Sequence, residues 1–314
     1  MKLTEILNIE HPIIMAPMFL VTNEEMCVQA MEAGIAACIP ALNWRKTEDM
    51  DKGIEAIKSR SNGCFGINLI VNRSNPLYLK QLEICVKHSV DFVITSLGKP
   101  DRVIDKCKPK GIKVFCDVVD AHYAQKVQNL GADGVIAVNN RAGGHAGDQS
   151  PEELIHSLQK TITIPIISAG GIGNHKTYKE ALEMGAAGVS VGSVFIATHE
   201  SDISQEYKEA CVAFGEKDIV MSTKISGTPC TVINTPYVAE IGTKQNFLER
   251  ILSKNKRLKK WVKMLTYVKG MKSIQKAAFS STYKTVWVAG PSIQNTTEIR
   301  TVKEVITSLV SDNK

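Results

Sequence analysis

Over the first two thirds of the chain, short apolar runs rich in β-branched residues alternate with longer amphipathic segments. The runs Pro12–Met18, Ile35–Pro40, Cys64–Val71, Asp91–Ser96, Ile112–Val118, Asp133–Val138, Ile164–Ala169 and Gly188–Gly192 read as strands. Each is continuously apolar rather than alternating, as expected when a parallel strand is buried on both faces. Between them Glu24–Ala33, Pro76–His88, Ala121–Leu130, Pro151–Gln159 and Lys176–Met184 carry helical spacing. Small-residue stops follow, as at Gly34, Gly131 and Gly185. Eight strand–helix units before about residue 215 predict an α/β fold, a (β/α)8 TIM barrel. An open doubly wound sheet has the same local pattern, because strand order does not show in it.

From about Glu206 the alternation stops, and lysine-rich helical segments such as 246–269 replace it. This predicts three parts: a barrel over 1–205, a smaller helical, basic cap over 206–284 that folds across the barrel mouth, and a segment 285–314 that returns to the barrel. Between Lys244 and Lys284 only Glu249 opposes twelve Lys and Arg residues, although the whole chain carries a net charge of only +6. Such a stretch is either a solvated helical face or a docking surface for an anionic partner, for instance an acidic carrier protein.

Of the 314 residues 44% are hydrophobic and 22% charged, which excludes a disordered chain. No apolar run reaches the roughly 18 residues a membrane helix needs. The start, Met1-Lys-Leu-Thr-Glu-Ile-Leu7, lacks the basic, apolar, small-residue order of a signal peptide. The eight cysteines are scattered with no C-x-x-C pair, which argues against structural zinc and leaves no metal expected. A reduced, cytoplasmic protein is the expectation, with neither membrane nor nucleic acid as partner.

The candidate chemistry sits just past the strand ends, where barrels of this type carry their active sites. After Asp133–Val138 comes a glycine-rich turn, Asn139-Asn-Arg-Ala-Gly-Gly-His145-Ala-Gly147. Glycines admit a flat ligand close to the backbone, and histidine is the side chain best suited to proton transfer near neutral pH. By itself this is equally a flexible loop with a solvated histidine. Two further turns weigh against that reading: Ala169-Gly170-Gly171-Ile-Gly173 after the seventh strand, and Gly192-Ser193 after the eighth. Loops at these two places often hold a phosphate, with backbone N–H groups and a hydroxyl as donors. A phosphate handle implies a phosphorylated substrate or a cofactor such as FMN. Ala16, Pro17 and Met18 close the first strand as an apolar wall, and Asn68 is a polar group in the third.

Taken in order, the segments Pro12–Met18, Ile39–Asn43, Gly66–Pro76, Val93–Gly98, Gly131–Ala137, Ala142–Gly147, Ala169–Gly171 and Val191–Thr198 resemble the nitronate monooxygenase family, also called 2-nitropropane dioxygenases. These are FMN-dependent barrels whose superfamily includes type II enoyl-acyl carrier protein reductases and NADH:quinone reductases. The resemblance implies that His145 is the active-site histidine. It also implies FMN contacts at Ala16, Pro17, Met18, Asn68, Gly143, Gly144, Gly170, Gly171, Gly192 and Ser193. Asp117 stands on a strand-five position where some relatives carry a cofactor-facing lysine, and Arg141 departs from the small or acidic residue expected there. The basic stretch from Lys244 has no specific match.

The reading that follows is an FMN-dependent oxidoreductase acting on a small molecule, an alkyl nitronate oxidised with O2 to a carbonyl compound and nitrite. The enzymatic alternative is reduction of an enoyl thioester, with NAD(P)H as donor. A non-catalytic flavin or phosphate-ligand binding protein is the alternative of another class. The sequence leaves oligomeric state open, a homodimer included.

Overall fold

The computed structural model describes residues 1–72, 75–224, 229–244, 275, 278–279 and 286–312. Eight parallel strands close into a barrel: β1 Ile13–Met15, β2 Ala36–Pro40, β3 Phe65–Ile70, β4 Phe92–Ser96, β5 Lys113–Val118, β6 Gly134–Val138, β8 Ile166–Ala169 and β9 Gly188–Val191. The closing pair sets Ile14 of β1 beside Ser190 of β9. Strand order follows chain order throughout, which settles the choice against an open sheet. The short strand β7, Gly144–His145, leaves the barrel for a second sheet.

Alternate residues of each strand point inward, because side chains on a strand alternate with a period of two. Ile14, Ala36, Cys38, Phe92, Ile94, Phe115, Ile136, Ile167 and Ala169 form an inner cluster. The first helix, α1 Leu3–Leu7, plugs the bottom by adding Leu3 and Leu7 to it. Packing here is tight: a Cβ on Gly66 would lie 2.4 Å from the Phe92 ring. The outward residues of the same strands pack under the surrounding helices in a larger core.

The ring of helices comprises α2 Glu24–Glu32, α3 Thr47–Arg60, α4 Tyr78–Lys87, α5 Asp101–Cys107, α6 Ala121–Leu130, α7 Pro151–Gln159 and α8 His175–Glu183. Their starts are set by side-chain caps. Asn23, Asp120, Ser150 and Asn174 each accept a bond from a first-turn backbone N–H. After α9, Gln205–Ala213, and α10, Pro236–Ile241, the last helix α11, Val302–Val310, packs between α8 and α2 and fills the eighth place.

The cap differs from expectation. Its described part is not simply helical: β10 Ile219–Ser222 and β11 Cys230–Ile233 pair antiparallel, and β7 adds as third strand. Two four-residue β-branched runs carry too little periodicity to stand out beside a lysine-rich stretch, and their third strand comes from a distant loop. Cys230, Val232, Val238 and Val286 bury a small core of their own. Tyr207 of α9 stacks on Trp287 at 5.5 Å and donates its hydroxyl to the Val288 carbonyl at 2.6 Å. The expected 246–269 helices lie outside the described residues. Among those described, no helix is long and apolar enough to cross a membrane, and no group of His, Cys, Asp or Glu is arranged to hold a metal.

Candidate active site

The turn after β8 is backbone with no room for side chains. Gly170 has φ +116° and Gly171 φ +81°. A Cβ on Gly170 would sit 2.3 Å from Asn139 Oδ1 and 2.5 Å from the Ala142 nitrogen. Gly170 is therefore required for conformation and for space, and Gly171 for conformation. Asn139, buried at the end of β6, holds this turn to the next loop. Its amide donates to the Gly170 carbonyl at 3.1 Å, and its oxygen accepts the Arg141 N–H at 2.8 Å.

After β9, Gly192 stands against the first strand's end, its Cβ position 3.5 Å from Ala16 and 3.7 Å from Met18. Ser193 opens a short 3-10 helix, and its hydroxyl oxygen accepts the Gly290 N–H at 2.9 Å. Its own hydrogen remains to donate. Gly143 lies against that hydroxyl, a Cβ there being only 2.8 Å from it. The structure thus brings Ala16, Met18, Gly192, Ser193, Gly143, Gly170 and Gly171 to one side of the mouth. The backbone N–H groups of the β8 and β9 turns and the Ser193 hydroxyl are donors of the kind that phosphate oxygens take. Pro17 continues the wall begun by Ala16.

The histidine is held on a strand rather than in a loose loop. In β7, Gly144 has φ +79° and His145 pairs with Cys230 of β11. Thr231 donates its hydroxyl to the Ala142 carbonyl at 2.8 Å, with the Gly144 carbonyl 3.3 Å away. Arg141 forms a bidentate ion pair with Glu216, just after α9. That pair holds the Glu216 carboxyl below its usual range. His145 itself is exposed at the mouth. Protein around its inner side strips water from the ring and lowers its pKa, so the imidazole is neutral at neutral pH. It can accept a proton there.

Opposite the glycine turns, a polar chain crosses β3, β4 and β5. Asn68 donates to Ser96 Oγ at 2.7 Å, and Ser96 donates to Asp117 Oδ2 at 2.5 Å. Burial pushes Asp117 up to about 6, against the pull of the Ser96 hydroxyl. Among the described residues Asp117 has no cationic partner. Asp117 therefore faces the site as a carboxyl poised between neutral and charged.

Five contributors were not singled out by sequence reasoning as site residues: Ser96, Asn139, Glu216, Thr231 and Gly290. Ser96 and Asn139 could have been found as polar ends of apolar strands. The others come from distant segments and carry no local signal. A groove of about 730 Å³ at the opposite end, lined by Met1, Lys2, Glu5, Lys113 and Asp133 among others, lies away from all these groups.

Known proteins resemble this arrangement. Among curated relatives, the (3aS,4S,5R,7aS)-5-hydroxy-7a-methyl-1-oxo-octahydro-1H-indene-4-carboxyl-CoA dehydrogenase of Rhodococcus jostii strain RHA1 is 29% identical over 236 residues, covering 75% of this chain and 66% of the relative. The chain thus spans just under two thirds of that relative's length. A probable nitronate monooxygenase of Staphylococcus aureus strain JH9 is 23% identical, covering 76% of this chain and 80% of the relative. The solved structure of FabK from Thermotoga maritima superposes with a TM-score of 0.85 at 27% identity, over 98% of this chain and 94% of that one. The model of the nitronate monooxygenase family matches residues 1–312. With barrel, turns and histidine in place, this chain belongs to the nitronate monooxygenase family.

Proposed function

We propose that this protein is an FMN-dependent nitronate monooxygenase, oxidising an alkyl nitronate with O2 to a carbonyl compound and nitrite. One observation carries the reading: a neutral, strand-held His145 and two glycine turns with backbone donors of the kind a phosphate takes, all at the same barrel mouth. The residues present fit FMN. Gly170, Gly171, Gly192 and Ser193 would hold its phosphate, Ala16, Pro17 and Met18 would wall its ring, and Asn68 would meet its polar edge. When bound, the flavin supplies electron transfer between substrate and O2.

The chain's own part is binding and proton handling. A neutral imidazole nitrogen of His145 takes the α-proton of a nitroalkane. When the nitronate is supplied directly, the N–H of the neutral ring hydrogen-bonds the anionic nitro group. Such a base contributes about 10² to 10⁴ in rate. The strand pairing with Cys230 and the Thr231 clamp hold the backbone that carries the ring, so its proton transfer needs no reordering of the loop. All described cysteines are free thiols, in keeping with a reducing cytoplasm.

A second reading is oxidoreduction of an acyl thioester with NAD(P)H, favoured by the 29% identical relative named for a carboxyl-CoA compound and by the likeness to FabK. An acidic carrier protein at the basic 244–284 stretch belongs to this reading. One experiment separates the two. The purified, flavin-loaded protein is mixed anaerobically with propyl nitronate, NADH and NADPH in turn. Bleaching of the flavin by nitronate alone supports the first, and rapid bleaching by a pyridine nucleotide supports the second. A protein that takes up no flavin, even on reconstitution, overturns both.

A further inference from the structure

The hydrogens in the Asn68–Ser96–Asp117 chain run one way. Asn68 spends both amide hydrogens, one on the Ile94 carbonyl at 3.2 Å and one on Ser96 Oγ at 2.7 Å. Its Oδ1 is then the atom left for a ligand, and it can only accept. Ser96, having accepted from Asn68, gives its hydrogen to Asp117 Oδ2. That leaves Asp117 Oδ1 at the end of the chain. These side chains lie on β3, β4 and β5, across the mouth from the glycine turns after β8 and β9. A ligand with an anionic tail and a planar polar head would span the two.

The imide edge of an oxidised flavin ring alternates carbonyl, N–H, carbonyl. Asn68 Oδ1 complements the N–H. The neighbouring carbonyl needs a donor, and the group that ends the hydrogen-bonded chain is a carboxyl. Ionised, Asp117 would set an acceptor against an acceptor and leave a buried charge unpaired, an arrangement that costs several kcal/mol. Protonated on Oδ1, it donates and completes the match.

We propose, on the reading that the cofactor is FMN, that Asn68, Ser96 and Asp117 recognise the flavin's imide edge only when Asp117 carries a proton, so that flavin binding is coupled to proton uptake. Above the pH at which free Asp117 ionises, each flavin bound draws one proton from solvent onto Oδ1. Below it, none is taken up. The free carboxyl titrates at about 6, so the coupling operates across the neutral range.

The other titratable groups within electrostatic reach stay silent there. Burial raises Cys38 on β2 far above neutrality, and raises Cys116 on β5 and Tyr123 on α6 each to about 12. Burial lowers His145 on β7, so its ring is neutral across the neutral range.

The test uses apoprotein and riboflavin, because riboflavin lacks the phosphate whose own ionisation falls in the same range. Fluorescence quenching gives Kd from about pH 5 to about pH 8, and calorimetry in buffers of different ionisation enthalpy counts the protons taken up. The wild-type Kd is expected to weaken roughly a hundredfold across that span, as the binding-competent neutral fraction falls to about one per cent. About one proton is taken up near the alkaline end. In Asp117→Asn, whose amide donates at every pH, the profile is flat and binding at about pH 8 is tighter than wild type. Riboflavin or FMN binding with a flat wild-type profile and no proton uptake overturns the coupling and leaves the FMN reading standing. Failure of both flavins to bind at any pH overturns both. The calorimetric count needs only wild-type protein, so a poorly folded variant would not remove the test.

Discussion

Arg141 and Glu216 meet in a two-pronged ion pair, Nη1 to Oε1 at 2.7 Å and Nη2 to Oε2 at 2.8 Å, which ties the loop leading to His145 to the segment beyond α9. The Arg141 side chain also lies along Gly171, whose Cβ position is 3.0 Å from its Nε. The pair therefore braces the histidine loop and the glycine turn together.

Removing this brace should cost activity more than stability. The two side chains are 39% and 42% exposed, and ion pairs in such settings contribute about 1 kcal/mol or less. Glu216→Gln should accordingly melt within a few degrees of wild type. Loosening the loop misplaces His145, and small misplacements near reacting atoms cost up to about 10²-fold in rate. The expected result is a roughly tenfold fall in kcat with a near-native melting curve, partly restored in the reversed pair Arg141→Glu/Glu216→Arg. Melting curves and steady-state kinetics on the same samples check it. A fall in both quantities together would assign the pair a merely structural role.

His145 should behave as a base whose pKa is depressed. Desolvation disfavours the charged ring, so the neutral form persists to lower pH than in a free imidazole. Turnover of a neutral nitroalkane is therefore expected to rise with pH through a midpoint below the ordinary histidine value and to plateau above it. His145→Gln should keep its flavin spectrum and lose about 10² to 10⁴ in turnover, along with that titration step. A pH–rate profile of both proteins with a nitroalkane decides the matter. An unchanged step in the variant would assign it to another group.

The barrel was legible because each strand is a short, continuous apolar run, and burial on both faces demands that pattern. Asn68 was legible for the opposite reason, as an amide inside such a run. Ser96 was legible only as the polar end of such a run, a signal it shares with the start of any turn. The β10–β11 pair escaped notice because its partner strand is Gly144–His145, far away in the chain and rich in glycine. Glu216 was out of reach in principle, as 75 residues separate it from Arg141 and no periodicity links them. Local pattern thus locates the strand ends where a site can stand, and long-range pairing decides which side chains complete it.

Gly170→Ala tests the glycine turn as a cradle. The substitution forces an L-residue into φ +116° and drives its Cβ to 2.3 Å from Asn139 Oδ1. Strain of this kind costs about 1–3 kcal/mol, which lowers the melting temperature of a protein this size by roughly 2–4 °C per kcal/mol. FMN affinity should fall more than riboflavin affinity, because only FMN carries a phosphate for the turn to hold. Equal losses for the two flavins would move the phosphate elsewhere.

The apoprotein should show the penalty at Asp117 without any ligand. Its folded pKa, about 6, is raised above the unfolded value. A group shifted this way contributes fully at pH below its unfolded pKa, and its contribution is lost as pH rises through the folded one. Wild-type apoprotein should thus lose on the order of 1–3 kcal/mol from this residue between about pH 4 and about pH 8. Asp117→Asn keeps the shape and cannot ionise. Its melting temperature should match wild type in acid and exceed it above neutrality, the two curves diverging near pH 6. Parallel curves across that range would show that the carboxyl is solvated well enough to ionise freely. The Ser96 hydroxyl sets the size of the effect, since it stabilises the carboxylate. Ser96→Ala should raise the Asp117 midpoint and widen the gap at alkaline pH, and Ser96→Ala/Asp117→Asn should remove the pH dependence that the single change enlarges.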